Sequence, residues 1–355
     1  MILKTLTLSG FRNIESARVE FDEGVNILCG NNAQGKTNIM EAIRFFSECR
    51  SFRGASDKEM ILSGEKFASV FAEFEKNGRT QTAEVRFFSE KRRELYLNDC
   101  KVQPKEFMGT FNSVLFYPEQ LTLIKNGPDN RRRFMDVSVC QIRPVYYTLL
   151  SQFSRVLQQR NALLKSGDTL TLDIWDERFA KLSFLVTKTR ENYLSKLAEH
   201  AAPIANEISG GAENMTLRYT PSFEAEDEND LYTELVNNRE RDRELGYTSV
   251  GAHKDDFETY LNGKNVKIYG SQGQQRSCVM SFKLAEAEIL SDTVGEYPLV
   301  LLDDVFSELD TGRRNYITGK IVGKQVIITS CDPIPMLTDS NLIFVENGSV
   351  HSVPV

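Results

Sequence analysis

Gly30-Asn31-Asn32-Ala33-Gln34-Gly35-Lys36-Thr37 fits the pattern G-x-x-x-x-G-K-[ST]. Such a loop turns successive backbone N–H groups inward, where they can cradle phosphate oxygens. The pattern alone has false positives, so its neighbours decide the reading. Val25, Ile27 and Leu28 precede it as a strand-like apolar run. Ile39, Met40, Ile43 and Phe46 follow at helical spacing. The loop therefore joins a strand to a helix, and the helix presents its positive end to an anion. Gly30, Asn31, Asn32, Ala33, Gln34 and Gly35 would wrap the phosphates. Lys36 would reach the β- and γ-phosphates, and the Thr37 hydroxyl would ligate Mg²⁺.

Two further stretches bear on the same chemistry. Leu299-Val300-Leu301-Leu302-Asp303-Asp304 is an apolar strand ending in two acids. A carboxylate at a strand end needs a partner, and Mg²⁺ on a nucleotide is a good one. Asp303 would hold the metal, and Asp304 would orient or deprotonate the attacking water. Ser271-Gln272-Gly273-Gln274-Gln275-Arg276 precedes a helix and forms a second anion-binding end. One nucleotide rarely needs two such sites in one subunit. The segment serves either a partner's nucleotide or as a plain helix cap.

Outside these motifs the pattern runs α/β, helical, α/β. Lys4, Leu6 and Leu8 open as a strand. From Ala68 to Val102 the alternation has period two, with turn signals at Asn77-Gly78 and Asn98-Asp99, which reads as an antiparallel meander. Residues from about Arg131 to Lys165 and from Trp175 to Ile208 read as helices, the second amphipathic through Phe179, Leu182, Val186, Thr189 and Tyr193. Strands are expected at Phe257 to Leu261 and Val266 to Tyr269, a helix at Ser277 to Leu290, and a strand at Val326 to Ile328. A hairpin is expected at Leu342 to Val345 and Val350 to Val353. The expected segments are 1–125, 126–244 and 245–355: one nucleotide-binding fold interrupted by a helical lobe.

Composition narrows the class. The chain has 355 residues, 43 basic and 50 acidic side chains, a net charge of −7 and 41% hydrophobic residues. That is globular composition, and it excludes a disordered or collagen-like chain. No apolar run is long enough to span a bilayer, and the first residues lack a signal-peptide layout, so a cytosolic protein without a membrane partner is expected. Six scattered cysteines without C-x-x-C, and only three histidines, argue against zinc and a disulfide framework. The thiols are expected to be buried and reduced. Most of the acidity sits between Glu213 and Glu244, with ten acidic and four basic residues. Its centre, Glu224 to Asp230, is expected to be a solvated loop. Elsewhere Lys91-Arg92-Arg93 and Arg131-Arg132-Arg133 are basic runs that could meet nucleic-acid phosphates or be ordinary surface; the second could equally organise packing.

The phosphate loop, Ser271-Gln272-Gly273-Gln274-Gln275-Arg276, Leu301-Leu302-Asp303-Asp304 and Ser307-Glu308-Leu309-Asp310 stand in the order of an ABC-type ATPase head. Gly10-Phe11-Arg12-Asn13, Pro118-Glu119, Leu123-Ile124, Gly127-Pro128, Arg131-Arg132-x-Phe134-Met135-Asp136 and Gly251-Ala252-His253-Lys254-Asp255-Asp256 make it more specific. Together they resemble the RecF family of SMC-like bacterial repair ATPases. The resemblance implies an α/β ABC-type ATPase head with a β meander, an inserted helical lobe and no long coiled coil. It implies ATP and Mg²⁺ at the loop. Ser271, Gly273 and Gln274 would meet the γ-phosphate held by a second copy. Asp310 would cross that interface, and Arg12 and Asn13 would approach the nucleotide. Where many ABC heads have a histidine, this chain has Thr329-Ser330-Cys331-Asp332, so a γ-phosphate-sensing role falls to Thr329 or Ser330 or is absent; Gln120 has no assignable role. Asp304 is one methylene shorter than the glutamate of many relatives, which implies slow hydrolysis. The family resemblance further implies an ATP-dependent homodimer on duplex, gapped or junction DNA, with RecR and RecO as partners in loading RecA.

Three rivals remain at this stage. A transporter subunit would share the phosphate chemistry but is disfavoured by the Ser271 segment and the arginine stretch. SMC or SbcC heads separate their halves by long heptad coils, which are missing here. A clamp that binds ATP without turnover would look almost the same in sequence.

Overall fold

The computed structural model describes residues 1–167, 170–332, 334, 337 and 340–352. Packing divides the chain into two units, Met1–Leu121 with Met280–Val355, and Thr122–Val279.

The first unit contains two six-stranded sheets. The antiparallel one has the order β2-β1-β4-β5-β6-β7, from β1 (Ile2–Phe11), β2 (Ile14–Glu20), β4 (Phe67–Lys76), β5 (Arg79–Phe88), β6 (Glu94–Leu97) and β7 (Cys100–Val102). Its meander follows the expected alternation: Ala68, Val70, Ala72 and Phe74 are all fully buried. Both tight turns need left-handed backbone, at Asn77 and Gly78 (φ 52° and 66°) and at Asn98 and Asp99 (φ 46° and 62°).

The other sheet has the order β15-β14-β3-β13-β12-β8, from β3 (Val25–Cys29), β8 (Ser113–Phe116), β12 (Leu299–Leu302), β13 (Val326–Ser330), β14 (Asn341–Glu346) and β15 (Ser349–Ser352). β14, β3, β13, β12 and β8 run parallel, and β15 returns antiparallel on β14. Val353, expected in the last strand, lies outside the described residues. β12 is buried along its length, as a continuous apolar run in a parallel sheet should be. α1 (Lys36–Glu48) leaves the end of β3 and packs its aromatic face inward. Phe45 meets Phe87 edge to face at 5.0 Å, and Phe46 stacks on Phe107 at 6.1 Å. The first contact fixes the helix against β5 of the antiparallel sheet, and the second against the short helix that follows β7. α2 (Pro104–Phe107), α10 (Val305–Glu308), α11 (Thr311–Ile321) and the part of α9 (Gln272–Val294) from Met280 onward complete the unit.

The second unit holds α3 (Pro128–Ile142), α4 (Val145–Ser166), α5 (Leu172–Ile208), β9 (Met215–Thr220), α6 (Glu228–Asn237), α7 (Arg239–Leu245), β10 (Asp256–Leu261), β11 (Lys264–Asn265) and α8 (Val266–Tyr269). Pro144 ends the first expected helix and begins α4, because its ring and missing N–H do not continue α3. α4 packs along the 37-residue α5, and among the described residues no longer helix occurs. Sequence reading closed this segment at 244. The compact unit runs to Val279, because β10 and β11 pair beside β9. Val266 to Tyr269, expected as a strand, is a helical turn instead: the Asn265 side chain accepts the Lys267 N–H and caps it. The acidic stretch is not loop throughout. Asp227 accepts the N–H groups of Asn229 and Asp230 and starts α6.

The interior of this unit is ionic as well as apolar. Arg160, fully buried, pairs with Asp176 at 2.6 Å and Asp242 at 2.7 Å. Asp255 accepts from Thr187 (2.6 Å), Tyr219 (2.8 Å) and the Ser222 N–H (2.8 Å). Arg131, left open in sequence between a phosphate contact, ordinary surface and a packing role, is only 4% exposed. It grips Asp256 at two points, 2.6 and 2.8 Å, and donates to the carbonyls of Leu123, Ile124 and Asn126. Arg132 donates to the Asp255 carbonyl at 2.6 Å. The arginine stretch and the Gly251 to Asp256 motif are thus two sides of one packing device.

Candidate functional site

Parallel strands leave their carboxyl ends facing one crevice, and three of them build the site. β3 delivers the phosphate loop, β12 delivers Asp303 and Asp304, and β13 delivers Thr329. The loop takes backbone angles that turn its N–H groups inward: Gly30 at φ 155°, Ala33 at 64° and Gly35 at 118°. Gly30 also has no room for a side chain, since a Cβ there would sit 2.2 Å from the Val345 carbonyl oxygen. Lys36 folds back and donates to the carbonyls of Gly30 (2.6 Å) and Asn31 (2.9 Å).

A cleft of about 440 Å³ is lined by Asn13, Asn32, Ala33, Gly35, Lys36, Thr37, Asn38, Arg53 and Asp304. Seven of these nine were expected from sequence. Beneath them Asp303 is 4% exposed and accepts from Thr37 Oγ1 at 3.1 Å and Thr329 Oγ1 at 2.8 Å. Burial pushes its carboxyl up to about 6, with Thr329 and Thr37 opposing the rise. A desolvated carboxylate beside a hydroxyl is a donor set of hard oxygens. It fits Mg²⁺, which takes one or two protein ligands and completes its shell with phosphate oxygens and water.

Two groups at the cleft were not read from the sequence. Arg53 lines it, and its guanidinium donates to Glu41 at 2.6 Å. Asn38 donates to the Asn13 side chain at 2.7 Å and so orients a residue that was expected. The terminal hairpin also reaches the loop: the Gly348 N–H donates to the Gln34 carbonyl at 3.0 Å, and the Asn347 N–H donates to the Gln34 side chain at 2.5 Å.

The remaining expected residues fall elsewhere. Arg12, expected at the nucleotide, lies outside the cleft lining; its guanidinium is held by both oxygens of Glu41 (2.8 and 2.9 Å) and by the Glu59 carbonyl. Asp310 caps α11, accepting the Arg313 N–H at 3.0 Å, which lowers its carboxyl pKa. In the second unit Ser271 and Gln274 form a reciprocal cap on α9: Ser271 Oγ accepts the Gln274 N–H at 3.2 Å, and Gln274 Oε1 accepts the Ser271 N–H at 2.9 Å. Gln274 further donates to Glu213 at 2.8 Å. Ser271 and Gln272 stay exposed at that helix start, with Gly273 half-buried. Of the Lys91 run, Lys91 pairs with Glu94 and lies 3.8 Å over the Phe88 ring, and Arg93 pairs with Asp57. Arg92 is exposed. Among the cysteines, Cys100 and Cys331 are exposed, against the expectation of burial, and all six are free.

A phosphate loop after β3, paired acids after β12 and a parallel sheet flanked by a meander define an SMC-type ATPase head. Solved SMC heads share the fold; that of Pyrococcus furiosus superposes with a TM-score of 0.58 at 15% identity, covering 100% of this chain and 96% of that one. The RecF/RecN/SMC N-terminal domain family matches residues 2–347, and the chain belongs to the RecF family of DNA replication and repair proteins. It is 40% identical to the DNA replication and repair protein RecF of Geobacillus kaustophilus over 99% of both chains. It is 37% identical to that of Ruminiclostridium cellulolyticum over 99% of this chain and 100% of the relative. The recombination mediator protein RecF-ATP of the RecFOR pathway superposes with a TM-score of 0.93 at 33% identity, over 99% of this chain and 98% of that one. Among the described residues no helix is long and apolar enough to cross a membrane.

Proposed function

We propose that this protein is an ATP-gated DNA-binding switch of recombinational gap repair. The observation that carries the reading is the convergence of Lys36, Thr37, Asp303 and Asp304 on one cleft. The loop N–H groups and Lys36 hold the phosphates of ATP, with Lys36 exchanging its two carbonyl partners for phosphate oxygens. Thr37 and Asp303 hold Mg²⁺, which when bound neutralises charge on the phosphates. Asp304 orients the attacking water and accepts its proton.

A second copy supplies Ser271 and Gly273 to the γ-phosphate, and the first copy returns the same residues, so a two-fold dimer has two equal composite sites. The exposure of Ser271 and Gln272 at the start of α9 supports this, and an incoming γ-phosphate would have to displace the reciprocal cap between Ser271 and Gln274. ATP then holds the dimer closed on duplex DNA beside a gap, and slow hydrolysis releases it. Kinship with a mediator of the RecFOR pathway supports RecR and RecO as partners, and RecA loading is the outcome proposed for the assembly.

The test is binding to a fluorescent gapped duplex, with and without ATP and Mg²⁺, with mass followed by light scattering. ATP should raise both mass and DNA affinity. Lys36→Ala and Ser271→Arg should abolish both effects, and Asp304→Asn should prolong them. ATP binding without a change in mass or DNA affinity would refute the dimer switch for the isolated protein.

A further inference from the structure

Thr329, the fourth residue of β13, is 1% exposed and touches both acids of the neighbouring strand. Its Oγ1 lies 2.8 Å from Asp303 Oδ1 and 3.3 Å from Asp304 Oδ1. The same oxygen accepts the Asp304 backbone N–H at 2.8 Å. A hydroxyl has one proton and two lone pairs, so it can accept that N–H while donating to a carboxylate. Asp304 itself is left-handed, at φ 51° and ψ 14°. A residue with a Cβ resists that conformation, and a bond to its own N–H helps to hold it there. The next residue ties in the phosphate loop, since the Gly30 N–H donates to the Ser330 carbonyl at 3.3 Å.

We infer that Thr329 is a positioning residue for Asp304, fixing through its hydroxyl the backbone turn that aims the Asp304 carboxylate into the cleft. It acts from beneath the acids and does not line the cleft, so it is not a sensor of the γ-phosphate. Valine has the shape of threonine without the donor and acceptor, whereas serine keeps both. The inference rests on Asp304 as the hydrolytic acid.

The experiment compares wild type, Thr329→Val, Thr329→Ser and Asp304→Asn by equilibrium binding of a fluorescent ATP analogue and by steady-state ATP hydrolysis. Measured without Mg²⁺, so that the lost bond to Asp303 does not enter, Thr329→Val should bind nucleotide within about threefold of wild type, while its kcat at saturating Mg²⁺ falls on the order of a hundredfold, the scale of loss for a misplaced catalytic group. Thr329→Ser should restore kcat to within about threefold of wild type. A hydroxyl that only held the strands together would move binding and turnover together, and a role of the Thr329 methyl group rather than its hydroxyl would not be rescued by serine. Wild-type turnover in Thr329→Val with turnover lost in Asp304→Asn would overturn the inference and leave the ATPase reading intact. Wild-type turnover in Asp304→Asn would remove Asp304 as the hydrolytic acid, and this inference with it, while the protein remained an ATPase. If Thr329→Val does not fold, Thr329→Ala against Thr329→Ser makes the same comparison.

Discussion

Arg12 and Glu41 form a two-point ion pair, with Nε 2.8 Å from one carboxylate oxygen and a terminal nitrogen 2.9 Å from the other. Glu41 is fully buried on α1, the helix whose first residues are Lys36 and Thr37. Its carboxylate also receives Arg53 and the Ser51 hydroxyl. One buried charge thus ties the turn between β1 and β2 to the phosphate-loop helix and sets Arg53 at the cleft.

Removing that charge leaves two arginines without their partner. Glu41→Ala should lower stability by about 3–5 kcal/mol in urea denaturation. Glu41→Gln should lose less, because it keeps the volume and one acceptor. The pair also predicts a pH response. Burial alone would raise the Glu41 carboxyl, but Arg12, Arg53 and Ser51 together hold it below its ordinary value. Its stabilisation is therefore full above the ordinary carboxylate range and is lost as pH falls through the lowered native value. Glu41→Gln should flatten the acid limb of the stability profile.

His253 predicts a second, separate window. Burial pushes its imidazole down to about 4, against a stabilising contact with the Thr248 carbonyl and with Lys254 and Arg132 opposing protonation. Its Nδ1 is buried without a partner, beside Phe153 and Phe179. The unfolded chain binds this proton more readily than the folded one. Stability should therefore be full above about pH 6.5 and decline by roughly 2–3 kcal/mol on going to about pH 4. His253→Phe should remove that slope, read from denaturation midpoints across pH.

Arg131 separates a packing role from a DNA role. Arg131→Ala should lower stability by about 3–5 kcal/mol by stranding Asp256 and three carbonyls. Arg131→Lys should not restore it, since an ammonium cannot reproduce the two-point grip. Lys91→Ala, on an exposed pair, should change stability by less than about 1 kcal/mol. Thermal melting checks all three.

Gly348 tests the hairpin's hold on the phosphate loop. It sits at φ 76°, and a Cβ there would lie 2.3 Å from the Asn13 carbonyl oxygen. Gly348→Ala should push the turn off Asn13 and weaken its bonds to Gln34. ATP affinity should fall together with a stability loss of about 1–3 kcal/mol. An unchanged affinity would show that the loop keeps its shape without the hairpin.

The parts legible in sequence were those whose signal is local. The phosphate loop, the acids after β12, the Asn77-Gly78 and Asn98-Asp99 turns and the meander each carry a short pattern with a physical reason. Most of what escaped depends on partners distant in the chain, and one element, Val266 to Tyr269, on a local cap that its composition conceals. Glu41 reads as any polar helix residue until Arg12 and Arg53 reach it. Three consecutive arginines leave surface, phosphate contact and packing open until Asp256, 125 residues later, meets the first. Val266 to Tyr269 has the composition of a strand, and only the cap from Asn265 makes it a helical turn. Thr329, read in sequence as a candidate γ-phosphate sensor, shows its contacts with the two acids only when β12 lies beside β13.

The phosphate-loop strand β3 has just two neighbours, β13 and β14, built from residues 326–330 and 341–346. The loop motif itself ends at Thr37. During synthesis, then, the ribosome releases this motif long before either strand that flanks it. A growing chain would carry a complete nucleotide signature and no nucleotide site. Competence for ATP would arrive late and all at once, when the final strands slot in on either side of β3. A nascent or prematurely terminated chain would in this way be kept from the ATP-dependent assembly proposed above.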